Sequence, residues 1–469
     1  MVFASAIFLF LFLPVTLGVY AVIHPKYRNG WLCIASFFFY AWGGLGSALL
    51  LLFSTVVNYL LGIGMDFVES PVKKKGILGI AVCYNLGILG FFKYFNFIAD
   101  SILAVFSAAH IELHAALPSI ALPIGISFFT FQIMSYNIDL YRGQIPVQKN
   151  FINLSLYIML FPQMIAGPIV RYIDIEKEIT NRIITRNSVR NGIKRFVLGL
   201  AKKMILANTM GELADLSFQY QGEQGFLLAW IGIVGYTLQI YFDFSAYSDM
   251  AIGLGEVFGF HFLENFRYPY QAASMQDFWR RWHISLTNWF RDYLYIPLGG
   301  NRKGKTRTLI NNLIVFFCTG LWHGASWNFI VWGLYHGGFM LAEKKWSFLE
   351  KVPKWLCHLY VWIVVMIGWI FFRAETLAKA CSYIKQLFLW SSSGNKALLM
   401  QINNWYLVCL AAALLLSVPI FQKKTAKLKA KLGAVYYEMG SDLIYILLFL
   451  LTLCFVNGSS FNPFIYFKF

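Results

Sequence analysis

Apolar residues run in long blocks from one end of the chain to the other, separated by short polar stretches. The pattern predicts helices near 4–23, 31–63, 76–92, 97–109, 121–141, 151–167 and 195–209. More follow near 225–242, 245–260, 309–321, 326–342, 355–372, 378–390, 404–420 and 441–457. The 31–63 run is long enough for two short helices or a kinked pair. Several runs fall short of the ~20 residues that a clean crossing needs, so re-entrant or tilted helices lining a cavity are expected, since irregular backbone cannot face lipid. The reading is an all-α polytopic membrane protein with about 11 to 13 crossings. The 4–23 run has no basic lead-in and ends at His24-Pro25 without a small-residue cleavage site, which marks a retained first span rather than a signal peptide.

One block breaks the pattern. In 264–307, Ser274 and Asp277 have the spacing of a capping box, with Asp in place of the usual Glu or Gln. A helix continuing from there puts Trp279, Trp282, His283, Leu286, Phe290 and Tyr293 on one face. Arg280, Ile284, Asn288 and Arg291 fall opposite. An aromatic face against a basic one predicts a helix lying in the interface plane rather than spanning. The whole chain, 1–469, reads as a single membrane domain with its motif-bearing core at 125–345 and an aromatic tail at 461–469.

Composition agrees. Of the 469 residues, 58% are hydrophobic and only 13% charged, well below the charged fraction of soluble proteins. The net charge of +17 comes from 39 Lys and Arg against 22 Asp and Glu. Its basic clusters (Lys73–Lys75, Arg171–Arg195, Arg267–Arg307, Lys344–Lys354 and Lys423–Lys431) lie between spans. They are read as cytoplasmic loops rather than a nucleic-acid surface, and such loops also attract anionic lipids or an anionic cofactor. The 7 cysteines form no CxxC pair and are read as buried thiols.

Polar residues inside such a chain are costly and tend to be functional. Four clusters stand out: His323 in GLWHGASW (320–327), the Asp243–Asp249 stretch YFDFSAYSD, FPQMIAGPIVRY (161–172), and SFFTFQIMSYNIDLYRG (127–143) with Gln132. Each has a plain alternative. A buried histidine can simply pack, hydroxyls and amides can bond between helices, and Asp243 and Asp249 can pair with Arg171 or Arg267. The surroundings of His323 favour chemistry: Gly and Ala neighbours would let a substrate approach, and Trp322 and Trp327 would wall out water. An imidazole so placed suits a general base acting on a hydroxyl. HIELH at 110–114 has the i, i+4 spacing of a metal pair but no third ligand, so no metal is expected. GLGEVFG at 253–259 has the wrong spacing for a phosphate loop, and no GxSxG elbow occurs.

The runs YFDFSAYSDMAIGLGEVFGFHFLENFRYPY, DFWRRWHISLTNWFRDYLYIPLGGNRKG and GLWHGASWNFIVWGLYHG resemble the membrane-bound O-acyltransferase superfamily. Within it they resemble the bacterial polysaccharide O-acetylases that act on alginate or peptidoglycan. MVFASAIFLFLFLP and AGPIVRY extend the likeness over nearly the whole chain. The resemblance implies a helical bundle around a central tunnel in the bacterial inner membrane. It implies acetyl-CoA as acyl donor, no bound cofactor, His323 as active-site base and His283 as the second polar position. Arg280, Arg281, Asn288 and Arg291 are expected to dock the donor, with His283 or Asn288 steadying the oxyanion. Asp243, Tyr247, Ser248, Trp322, Trp327 and Gln132 are expected along the substrate path. The tail tyrosine, Tyr466, is expected to carry or present the acetyl group to a separate esterase-like (SGNH) subunit outside the membrane, which would hand it to the polysaccharide. The competing readings are a polymer translocator without acyl transfer, a lipid acyltransferase using long-chain acyl-CoA, and a scaffold.

Overall fold

A computed structural model describes residues 1–111, 118–220, 225–346, 348–392, 395–458 and 464–465. Among the described residues the fold is helical throughout, with no strand. A π-helical turn, Phe8–Phe12, leads into α1 (Leu13–Val22). Next come α2 (Arg28–Ala41), α3 (Leu45–Phe67), α4 (Pro71–Leu89), α5 (Phe95–Ala108), α6 (Ile126–Tyr141), α7 (Phe151–Met159) and α8 (Phe161–Met164). The middle of the chain forms α9 (Tyr172–Thr180), α10 (Arg186–Ala201), α11 (Asn208–Phe218), α12 (Phe226–Phe258), α13 (Met275–Arg281) and α14 (Ile284–Phe290). The last third forms α15 (Lys305–His323), α16 (Trp327–Trp346), α17 (Lys354–Arg373), α18 (Leu377–Gln386), α19 (Asn395–Gln401), α20 (Asn404–Leu416), α21 (Ile420–Leu432) and α22 (Ala434–Gly458). Among the described residues five helices are long and apolar enough to cross a membrane: Leu45–Phe67, Pro71–Ala108, Phe226–Phe258, Lys354–Arg373 and Ala434–Val456.

Two boundaries differ from the sequence pattern, and a third is as expected. The 31–63 run does split, at Gly43-Gly44, where Gly44 has φ 150°. The 76–92 and 97–109 runs are instead one helical stretch, α4 and α5 joined by a π-helical turn at Gly90–Tyr94. Likewise 225–242 and 245–260 fuse into the 33 residues of α12. The polar residues between those runs do not break the helix because they are partnered inside the bundle, so the dip in hydropathy marks contacts rather than a turn. At 1.5 Å per residue, α12 is about 50 Å long, which exceeds the ~30 Å hydrocarbon core.

The 264–307 block also departs from expectation. Ser274 Oγ does accept the Asp277 N–H at 3.0 Å. The helix then stops at Arg281, the chain turns through Trp282 and His283 (φ 44°), and α14 begins. A single 3.6-residue periodicity therefore does not apply, although Trp279, Trp282, Leu286 and Phe290 are buried and Arg280 and Arg291 exposed.

The core of the bundle is α12, which runs along α10 and α11. Gly192 and Gly253 face each other so closely that a Cβ on either would sit 2.5 Å from the other's carbonyl oxygen. Small residues at such a crossing let two backbones touch, which is how helices associate where hydrophobicity alone gives no preference. We expect Gly192→Val to force α10 away from α12 at a cost of about 1–3 kcal/mol, as overpacking does. The thermal midpoint in detergent should fall by several degrees. Gly79→Ala, where the added methyl meets nothing within 4 Å, should leave it unchanged.

Candidate active site

His323 is the last residue of α15; Gly324 then runs extended. Its ring is buried, 1% exposed, among Trp322, Trp332 and Phe372, with ring centroids 4.9–5.2 Å away. The two tryptophans named from the motif lie differently. Trp322 is there, but Trp327 is 56% exposed and packs on Phe97 instead; Trp332, one turn further along α16, takes its place. The neighbouring glycines do not open a path either. Gly320 lies against the Phe329 carbonyl and Gly333, and a Cβ on Gly324 would enter the Phe329 ring, so both serve the close packing of α15 on α16.

His283 stands opposite, 1% exposed, its ring centroid 6.5 Å from that of His323. The turn between α13 and α14 delivers it. Asn265 holds that turn: its carbonyl accepts Ile284 N–H at 3.0 Å, and its side-chain oxygen accepts Ser285 N–H at 3.2 Å and the Ser285 hydroxyl at 2.9 Å. The same oxygen lies 3.2 Å from His283 Nδ1. An amide oxygen only accepts, so this pairing places the ring proton on Nδ1 and makes Nε2 the lone-pair nitrogen. Asn265 Nδ2 donates to Ser248 Oγ at 3.2 Å, and Ser285 Oγ in turn accepts the Ile169 N–H at 3.0 Å. Asn265 therefore ties α12, the AGPIV stretch and the histidine turn together. The sequence reading missed it; its only signal is an asparagine between Glu264 and Phe266 in LENFRYP.

Ser248 and Asn265 also form part of the wall of a cavity of about 1040 Å³. Lys194, Arg195, Lys202, Arg267 and Arg281 line it, with Asp249, Glu264 and the aromatic rings of Tyr241 and Phe266. Arg195 bridges Asp249 at 2.9 Å and Glu264 at 2.5 Å, and Lys202 meets Asp249 at 2.7 Å. Of the expected donor-docking residues only Arg281 faces this space, held by Asp277 at 2.9 Å. Arg280 is exposed, Asn288 is half-buried in α14, and Arg291 pairs with its neighbour Asp292.

Asp243 and Tyr247 prove to be tail contacts. Asp243 forms a 2.6 Å ion pair with Lys203, each side chain only 2% exposed. Its second oxygen accepts the Ile465 N–H at 2.7 Å. Phe464 packs edge-on to Tyr247 at 5.1 Å, and Lys203 Nζ lies 4.7 Å from the Phe464 ring. Neither aspartate of α12 takes the expected partner, since Arg171 pairs with Asp174 and Asp292. Tyr466 lies outside the described residues. Gln132 is buried, its side-chain nitrogen reaching the Val170 carbonyl at 3.4 Å. Glu112 and His114 of the HIELH pair are likewise outside the described residues; among those described, no group of three or more His, Cys, Asp or Glu gathers to hold a metal.

Lys93 was also missed. It is 6% exposed, and its Nζ donates to Ser127 Oγ at 3.0 Å and to the Trp322 carbonyl. A single charge within the otherwise apolar run GILGFFKYFNFI was its sequence signal.

Comparison with known proteins fits this arrangement. The sequence profile of the membrane-bound O-acyltransferase family matches residues 142–373. The chain is 38% identical to a protein named probable alginate O-acetylase AlgI from Pseudomonas putida, over the whole of both chains. It is 34% identical to the peptidoglycan O-acetyltransferase of Helicobacter pylori, across 82% of this chain and 79% of that one. It is 28% identical to the teichoic acid D-alanyltransferase of Bacillus subtilis, across 50% of this chain and 62% of that one. Matched from end to end by relatives of this kind, the chain belongs to the membrane-bound O-acyltransferase family and is a multi-pass O-acyltransferase.

Proposed function

We propose that this enzyme moves acetyl groups from cytoplasmic acetyl-CoA toward an extracytoplasmic polysaccharide, alginate-like or peptidoglycan, in a bacterial inner membrane. The observation that carries the proposal is the connection from a basic cavity, through Asn265, to two buried imidazoles. The relatives named as an alginate O-acetylase and a peptidoglycan O-acetyltransferase support the acyl group and the acceptor class.

The phosphates of CoA suit Arg267 and Arg281 at the cavity, while the aromatic rings of Tyr241 and Phe266 suit the adenine or the pantetheine arm. His323 takes the proton of an acceptor hydroxyl as its oxygen attacks the thioester carbonyl. The C–S bond breaks, and CoA leaves as a thiolate that is protonated in water. Held by Asn265 with its proton on Nδ1, His283 offers a lone pair rather than an N–H. We therefore assign it to orienting the acceptor hydroxyl, not to the oxyanion. The Lys203–Asp243 pair holds the backbone just before Tyr466, which supports that hydroxyl as acceptor and carrier, with an SGNH-type subunit taking the acetyl group onward.

Replacing His323 with Ala should lower acetyl transfer by about 10²–10⁴-fold, the usual worth of a general base. Polymer export should persist, as measured by O-acetyl content and yield of isolated polysaccharide; loss of export together with the mark would make the protein a translocator. Arg267→Ala with Arg281→Ala should raise the KM for acetyl-CoA about tenfold with kcat little changed, because the phosphates are bound equally in ground and transition states. After incubation with acetyl-CoA, mass spectrometry of the tail peptide should show one added acetyl group in the wild type and none in Tyr466→Phe. An unmodified tail in both would move the acceptor to the partner.

A further inference from the structure

We propose that Lys93 and Tyr94 form a positioning pair that closes the C-terminal end of α15 and so holds the His323 ring in place. The proposal rests on the assignment of His323 as the base. The last carbonyls of a helix have no partner within it, and inside a bundle no bulk water replaces them. In α15 the Gly320 carbonyl accepts the Gly324 N–H at 3.3 Å. The next carbonyl, of Leu321, accepts the Tyr94 hydroxyl at 2.7 Å, and the one after, of Trp322, accepts Lys93 Nζ. Two consecutive residues of another helix thus grip the two carbonyls that precede the histidine.

Three features make this more than ordinary capping. First, the donor is a lysine buried where a neutral side chain would avoid the cost of desolvating a charge. Its cation also complements the negative end of the α15 dipole. Second, Lys93 and Tyr94 lie in the π-helical turn Gly90–Tyr94, a local irregularity of the kind often found at functional sites. Third, Lys93 joins three elements. Besides Trp322 it bonds Ser127 at the start of α6, and the next residue, Phe128, packs edge-on to the Trp322 ring at 5.1 Å. Trp322 is fixed at its carbonyl and at its ring, and the imidazole on the following residue inherits that position. Proton transfer depends steeply on such placement, and an error of about 1 Å can cost about 10²-fold in rate.

The test measures release of CoA thiol from acetyl-CoA by the full-length protein in membrane vesicles. Lys93→Met keeps length and volume but removes the donor. It should lower kcat about 30-fold or more with the KM for acetyl-CoA within about twofold, the mark of an interaction needed only in the transition state. Lys93→Gln, which restores an N–H donor, should recover much of that loss, and Tyr94→Phe should lower kcat about threefold to tenfold. Wild-type kcat in the folded Lys93→Met protein would overturn the proposal, as would a failure of Gln to do better than Met. If Lys93→Met cannot be recovered folded, Tyr94→Phe decides, and an unchanged kcat there overturns it. His323→Ala is measured alongside: if it keeps activity, the assignment of the base fails, whereas a dead His323→Ala beside a fully active Lys93→Met rejects the positioning pair alone.

Discussion

Within a bilayer a backbone carbonyl finds no water, so a helix that stops inside the protein has to be closed by other parts of the chain. α15 stops at His323, and much of the architecture follows from that termination. α16 packs tightly back through Gly320 and Gly333, α6 supplies Phe128 to the face of Trp322, and the α4–α5 helix supplies two donors. The imidazole thus sits at the end of a braced rod, surrounded by aromatic rings. A catalytic side chain placed on a loop would need the same support from several further contacts.

Buried charge is treated in the same way elsewhere. Among the described residues two lysines are fully buried, Lys93 and Lys203, and both lie in π-helical turns. Lys93 meets a carbonyl and a hydroxyl; Lys203 meets a carboxylate. A buried pair such as Lys203–Asp243 gains little net stability over well-packed apolar residues, yet losing one partner is severe. Its remaining carboxylate oxygen takes the Ile465 backbone N–H, so the pair holds Phe464 and Ile465 against α12 beside Tyr247. The cavity on the other side of α12 shows a third arrangement, where Arg195 and Lys202 are balanced by Asp249 and Glu264 while Arg267 stays exposed. The paired charges shape the wall, and Arg267 remains available to an anionic ligand.

The helical class, the membrane setting and the family were legible along the chain, because each rests on local pattern: hydropathy, composition and contiguous motifs. Where helices begin and end was less so. Asp243 and Ser245 lower the hydropathy of α12 without breaking it, and Gly90–Tyr94 bends a run that reads as two segments. The roles of side chains were the least visible. Trp327 lies four residues from His323 and points elsewhere, while Trp332 of the following helix meets the ring; from distant parts of the chain Asn265 meets His283 and Lys93 holds the Trp322 carbonyl. A dihedral change at one residue, the positive φ of His283, turns a predicted amphipathic helix into two short ones, although Leu286, Phe290 and Tyr293 stay buried and Arg291 exposed. Local sequence determines what a segment must bury. Which partner it is buried against depends on long-range packing among many apolar surfaces of nearly equal hydrophobicity, and that is decided only when the bundle closes.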